Sequence, residues 1–181
     1  MYKFAAASEN EQIVFGSARP GYSCEQVNKW IEFMKHQNVQ RVCCLLPESQ
    51  LDRYSNLLNI YQRVFGFDRV CWAPIEDFSI ADPKVIINQV LPFLAAADQE
   101  NERVVIHCSG GIGRTGQVLA AWLIAKRGFS QKAAVTVVKK TGRNPYEAII
   151  VAAFKGCNPW KAAAEIDLLL DECAKSSGDL S

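Results

Sequence analysis

Apolar side chains recur along this chain in two rhythms. Mainly apolar segments, each opened by an arginine, stand at 41–46, 69–73 and 103–107, with the length of buried strands. Residues 2–7 and 12–15 read as two further, short edge strands. Between these runs the apolar positions take helical spacing. Val27, Trp30, Ile31 and Met34 mark one stripe, and Tyr54, Leu57, Leu58, Tyr61 and Phe65 a second. Ile86, Val90, Phe93, Leu94 and Ala97 mark a third. The punctuation agrees with this reading. Ser23 and Gln26 have capping-box spacing ahead of a helix over 24–37. Asp82 precedes Pro83 as cap and first helical position, and Pro92 is expected to kink or interrupt that helix. Residues 16–21 read as a loop, and 74–83 as a loop with three carboxylates, Glu76, Asp77 and Asp82.

A stretch apolar nearly all round, from Thr115 to about Lys126, predicts a central buried helix that Gly128 stops. Helices follow at 131–140, from Asn144-Pro-Tyr-Glu147 to about residue 155, and from Asn158-Pro159 onward with Ile166, Leu169, Leu170 and Cys173 on one face. Strands alternate with helices through two-thirds of the chain, and helices then follow one another. That order predicts an α/β fold: a short, mostly parallel twisted sheet flanked by helices. One domain over 1–175 and a disordered tail at 176–181 are expected. In such sheets ligands bind beyond the carboxyl ends of the strands.

Composition narrows the classes. The 181 residues carry a net charge of +1, so no basic field points to nucleic acid or to an anionic membrane. The longest apolar run, 118–125, is too short to cross a bilayer, and the N-terminus lacks a signal-peptide core. A cytoplasmic location is expected. The seven cysteines are odd in number and form no CxxC pair, so neither a disulfide framework nor a zinc site is expected. Cys43 and Cys44 read as core residues of a buried strand, with a redox partnership to Cys108 as the alternative.

The candidate chemistry lies at 103–116, where an apolar run meets a loop of four glycines and then a helix. Gly111-x-Gly113-x-x-Gly116 matches a dinucleotide fingerprint formally. That reading fails because no acid follows between Gly116 and Glu147, and the next element is a helix rather than a strand. The second reading uses every residue of the loop. Backbone N–H groups turned inward by glycines form an anion nest at a helix N-terminus. Arg114 offers a bidentate grip on phosphate oxygens. A cysteine in that field favours its nucleophilic thiolate form.

The run His107-Cys-Ser-Gly-Gly-Ile-Gly-Arg-Thr-Gly116 resembles the HCxxGxxR(S/T)G signature of the cysteine-dependent protein tyrosine phosphatases. Length and layout resemble the small dual-specificity type. The resemblance implies a phosphotyrosine protein phosphatase-like fold and hydrolysis of phosphoprotein monoesters through a cysteinyl-phosphate intermediate. It implies Cys108 as nucleophile, Arg114 as phosphoryl clamp, and Ser109, Gly110, Gly111, Ile112 and Gly113 as N–H donors. Thr115 would face the thiolate, and His107 would orient the loop. Asp77, in Pro74-Ile-Glu-Asp-Phe78, resembles the general acid; Glu76 is the fallback and Asp82 already has a helix to cap. No Trp-Pro-Asp triplet is present, since Trp72 lies five residues before Asp77. In related enzymes the loop holding Arg143 and Asn144 approaches the phosphate site; the plainer reading is a capping Asn beside a surface Arg. No cofactor or metal is implied. No Lys lies between Cys108 and Arg114, which favours a phosphoprotein over an inositol lipid, and the short preceding loops suggest a shallow cleft. A monomer is expected, with a non-catalytic phosphoprotein-binding module as the alternative function.

Overall fold

Five strands form one sheet in the order β1-β2-β5-β3-β4 in the computed structural model, which describes residues 2–154 and 158–176. β1 (Ala5–Ala6) pairs antiparallel with β2 (Val14–Ala18). β2, β5 (Arg103–Cys108), β3 (Val39–Cys44) and β4 (Val70–Trp72) are mutually parallel. β5 lies at the centre and is buried from Val104 onward, as its apolar sequence requires. Ala18 lies opposite Cys108, and Cys44 lies opposite His107, so three strands finish level at one edge.

Alternation of side chains across the sheet builds a core on each face. Val42, Cys44 and Val105 pack with α1 (Cys24–His36) and α3 (Leu57–Phe65), around Trp30 and Tyr61. Cys43, Leu45, Val104, Ile106 and Cys108 face the other side. There they meet α5 (Leu91–Gln99), α6 (Gly113–Arg127), α7 (Gln131–Lys140) and α9 (Pro159–Lys175). α6 is buried on all sides from Gly113 to Ala125, in agreement with its apolar circumference. The predicted capping box at Ser23 and Gln26 forms, and Gly128 ends α6 at φ 68°.

The structure differs from the sequence pattern in four places. β2 runs on to Ala18, through residues expected to be loop. Gly16 and Ser17 lack a strand signature, yet a Cβ on Gly16 would sit 2.5 Å from Arg143 Nε. Close packing, not propensity, selects Gly16. The interruption expected at Pro92 takes the form of a π turn just before it, not an end to the helix. A π turn over Ile86–Val90 joins α4 (Pro83–Val85) to α5, and the wider turn accommodates the missing N–H. α8 (Glu147–Phe154) starts later than Asn144, whose side chain instead accepts the Tyr146 N–H at 3.2 Å in a preceding turn. α3 starts at Leu57, after Asn56 at φ 106°, and a short α2 (Glu48–Leu51) precedes it. The expected end of α8 near 155 and the tail at 177–181 lie outside the described residues.

Candidate active site

The loop after β5 is shaped by one close approach. Gly111 has φ +70°, and a Cβ there would lie 2.5 Å from the Ser17 carbonyl oxygen. Only glycine lets the loop pass this near β2. The Arg19 N–H donates to the carbonyls of Cys108 and Ser109 at 3.0 and 3.3 Å, which fixes the loop's outer side. Among the described residues, the N–H groups of Ser109, Gly110, Gly111, Ile112 and Gly113 have no backbone acceptor. They precede the N-terminus of α6, where the helix adds positive potential. Cys108, 3% exposed, receives a hydrogen bond from Thr115 Oγ1 at 3.2 Å.

Arg114 is 3% exposed, and its guanidinium is held by the loop that follows β4. It donates to the Ile75 carbonyl at 2.9 Å and to Asp77 Oδ1 at 2.7 Å. Gln50, from α2, donates to Asp77 Oδ2 at 3.1 Å. Asp77 itself is 40% exposed. The structure therefore brings Cys108, Arg114, Thr115 and Asp77 together. Asp82 is engaged elsewhere, capping α4 through a bond from the Lys84 N–H at 2.9 Å. Glu76 is exposed.

His107 is fully buried, with Nε2 3.2 Å from the Tyr61 hydroxyl and Trp30 edge-on to its ring. Burial, reinforced by the charges of Arg114 and Arg19, pushes its pKa down to about 3, so the imidazole is neutral at physiological pH. Cys43 and Cys44 are buried in the core, and burial pushes the Cys44 thiol up to about 12.

Two contributors, Gln117 and Arg19, were not read from sequence as part of a site, and a third, Arg143, was read chiefly as a surface residue on a loop near it. Gln117 takes the Ala81 N–H at 2.9 Å and donates to the carbonyls of Ser79 and Pro145, tying the acidic loop to α6. Its signal was present, because Gln117 is the one polar residue between Gly116 and Lys126. Arg19 stacks on Tyr22 at 3.7 Å and reaches Ser109 Oγ at 3.5 Å, while Arg53 lies 3.9 Å over the same ring. Arg143, read as a surface residue, is instead 2% exposed. Its burial follows from contacts with Lys3 and Gly16, far away in sequence.

Comparison with known proteins decides the family. The model of the dual specificity phosphatase catalytic domain matches residues 33–149. The chain belongs to the dual specificity phosphatase family. Within curated relatives, this family member is 36% identical over 53 residues to a dual specificity protein phosphatase of vaccinia virus, covering 29% of this chain and 31% of that one. It is 28% identical over 69 residues to dual specificity protein phosphatase 5 of Rattus norvegicus, covering 38% of this chain and 18% of that one. The matches thus span a third or less of those relatives' lengths. The fold is similar over far more of the chain. The crystal structure of Tk-PTP in the active form gives a TM-score of 0.68 at 23% identity, covering 91% of this chain and 93% of that one. PTPMT1 in complex with PI(5)P gives 0.71 at 12% identity, covering 98% and 99%. These likenesses agree with the expected phosphatase-like α/β fold.

Proposed function

We propose that this protein hydrolyses phosphate monoesters of phosphoproteins, with Cys108 as nucleophile, Arg114 as phosphoryl clamp and Asp77 as proton donor and acceptor. The observation that carries the reading is the convergence of Cys108, Thr115, Arg114 and Asp77 around one loop whose N–H groups have no backbone acceptor among the described residues. In the first step the Cys108 sulfur attacks phosphorus and the ester P–O bond breaks. The Asp77 carboxyl protonates the leaving oxygen. In the second step the Asp77 carboxylate takes a proton from water, the water oxygen attacks phosphorus and the P–S bond breaks. Thr115 Oγ1 hydrogen-bonds the departing thiolate. Loop N–H groups and Arg114 stabilise the charge on the equatorial oxygens in both steps.

The substrate class rests on charge. The loop holds no Lys between Cys108 and Arg114. Arg19, which reaches Ser109 Oγ, shares the Tyr22 ring with Arg53, and this pair of cations suits an anionic flank on a phosphopeptide. PTPMT1 was solved with a phosphoinositide, so a lipid substrate is the second reading. The test is hydrolysis of p-nitrophenyl phosphate in EDTA by wild type and Cys108→Ser, followed by phosphopeptides against phosphoinositide vesicles. Turnover by wild type, none by Cys108→Ser, and preference for peptides are expected. No wild-type turnover would leave a phosphoprotein-binding module. Preference for vesicles would move the substrate to lipid.

A further inference from the structure

Among the described residues, the buried arginines Arg41 and Arg114 have carboxylate partners, as does the partly buried Arg127, and Arg143 does not. Arg41 pairs with Glu100 and Glu102, Arg127 with Glu11 and Asp98, and Arg114 with Asp77. Arg143 is as buried as Arg114, yet it makes no ion pair among the described residues. Its guanidinium donates only to neutral oxygens: the carbonyls of Lys3 and Gly16 at 2.6 Å each, and Thr141 O and Oγ1 at 2.7 and 3.1 Å. Nε has no partner. A buried cation without an anion is costly, because neutral dipoles replace only part of its hydration.

The place of Arg143 names the anion. A Cβ on Gly16 would sit 2.5 Å from Arg143 Nε and 2.8 Å from Thr115 Cγ2. Guanidinium and threonine therefore flank the same glycine, and that threonine donates to Cys108 Sγ at 3.2 Å. Gly16 pairs with Ile106, two residues before Cys108 in β5. We propose that Arg143 is a positioning residue whose buried charge holds Cys108 as a thiolate from the β2 side, leaving Arg114 to the phosphoryl group. Its ionisation behaves accordingly: burial pushes it down to about 10, and the Cys108 charge acts in the opposite direction.

The other groups around Cys108 do not replace this one. Arg114 of α6 is shared with Asp77, which follows β4. Arg19, after β2, is turned to Tyr22 and Tyr54. His107 on β5 is neutral, and Cys44 on β3 stays a thiol. Glu147, opening α8, lies against Gly113 and adds negative charge.

The inference rests on Cys108 as the reactive thiol, and its test does not need turnover. The rate of Cys108 alkylation by iodoacetamide is measured from pH 5 to 9.5 in wild type, Arg143→Gln and Arg143→Lys. Losing the charge should slow alkylation about three- to tenfold near pH 6 and leave the alkaline plateau unchanged. Arg143→Lys should recover most of the loss. Superimposable profiles for wild type and Arg143→Gln overturn the proposal, whether or not the protein proves to be a phosphatase. Should Arg143→Gln not fold, melting of wild type and Cys108→Ser across the same pH range gives the reciprocal reading. The wild-type Tm should gain on Cys108→Ser as pH rises, because a favoured thiolate stabilises the fold. A constant offset overturns the proposal.

Discussion

Asp77 meets a competition at the level of single atoms. Its carboxylate accepts from the Arg114 guanidinium at 2.7 Å, and a bound phosphoryl group needs those same N–H donors. A substrate that takes Arg114 frees the carboxyl group for the leaving oxygen. Asp77→Asn should therefore lower kcat on a poor leaving group by roughly 10²–10⁴. Vanadate affinity should hold or improve, since a competitor for Arg114 has been weakened. Steady-state kinetics with an alkyl phosphate, beside vanadate inhibition, separates the two effects. Asp82→Asn should leave both helix capping and kcat nearly unchanged, because Asn caps a helix about as well as Asp. Equal kinetic losses in both variants would remove Asp77 from its proposed role. At this scale Cys108, Arg114 and Thr115 were legible because they share one ten-residue stretch. Arg19 was not, and Arg143 was visible only as part of a loop that nears the site, because what distinguishes both is the company they keep after folding.

Among the elements, α6 does the most positioning. It starts two residues before the expected Thr115, so Gly113 and Arg114 belong to its first turn. Gln117, one position beyond Gly116, then reaches both flanking loops. Replacing it by Leu keeps the volume but leaves the buried Ala81 N–H without an acceptor. Gln117→Leu should destabilise the fold by about 1–3 kcal/mol in urea unfolding. It should also lower kcat, because the segment carrying Asp77 loses its tie to α6. A variant with unchanged stability would show that another group satisfies Ala81. Periodicity located nearly every element, but it placed ends poorly wherever contact rather than propensity set them. β2 at Gly16 and Ser17 is the clearest case, and the π turn before Pro92 is another.

Across the whole molecule, buried ionisable groups set the response to acid. The folded state keeps His107 neutral down to about pH 3, whereas an unfolded imidazole takes a proton near 6.5. Between those values the unfolded chain binds more protons, so stability falls as pH drops from about 6.5 towards 3. The loss from this one residue is on the order of several kcal/mol. Glu11 adds to it at the acid end. Burial opposes its ionisation, but bonds from Arg127, the Ile13 N–H and Trp122 outweigh that and lower its pKa. Its contribution is present above the ordinary carboxylate range and is lost as pH falls below it. Thermal melting of Cys108→Ser, which removes any contribution from the thiolate, should show a decline that begins near pH 6.5. A Tm that stays flat to pH 4 would contradict the buried, neutral His107.

The sequence by itself determined the order of strands and helices, most caps, and the loop that joins Cys108 to Arg114. Each of these is decided by residues close together in the chain, through periodicity, side-chain capping and glycine's tolerance of positive φ. Only the tertiary structure decided the strand order β1-β2-β5-β3-β4. That order brings Gly16, Asp77, Arg114 and Arg143 to one edge of the sheet. It also decided which arginine would be buried without a carboxylate, because burial and pairing depend on contacts that no local pattern encodes.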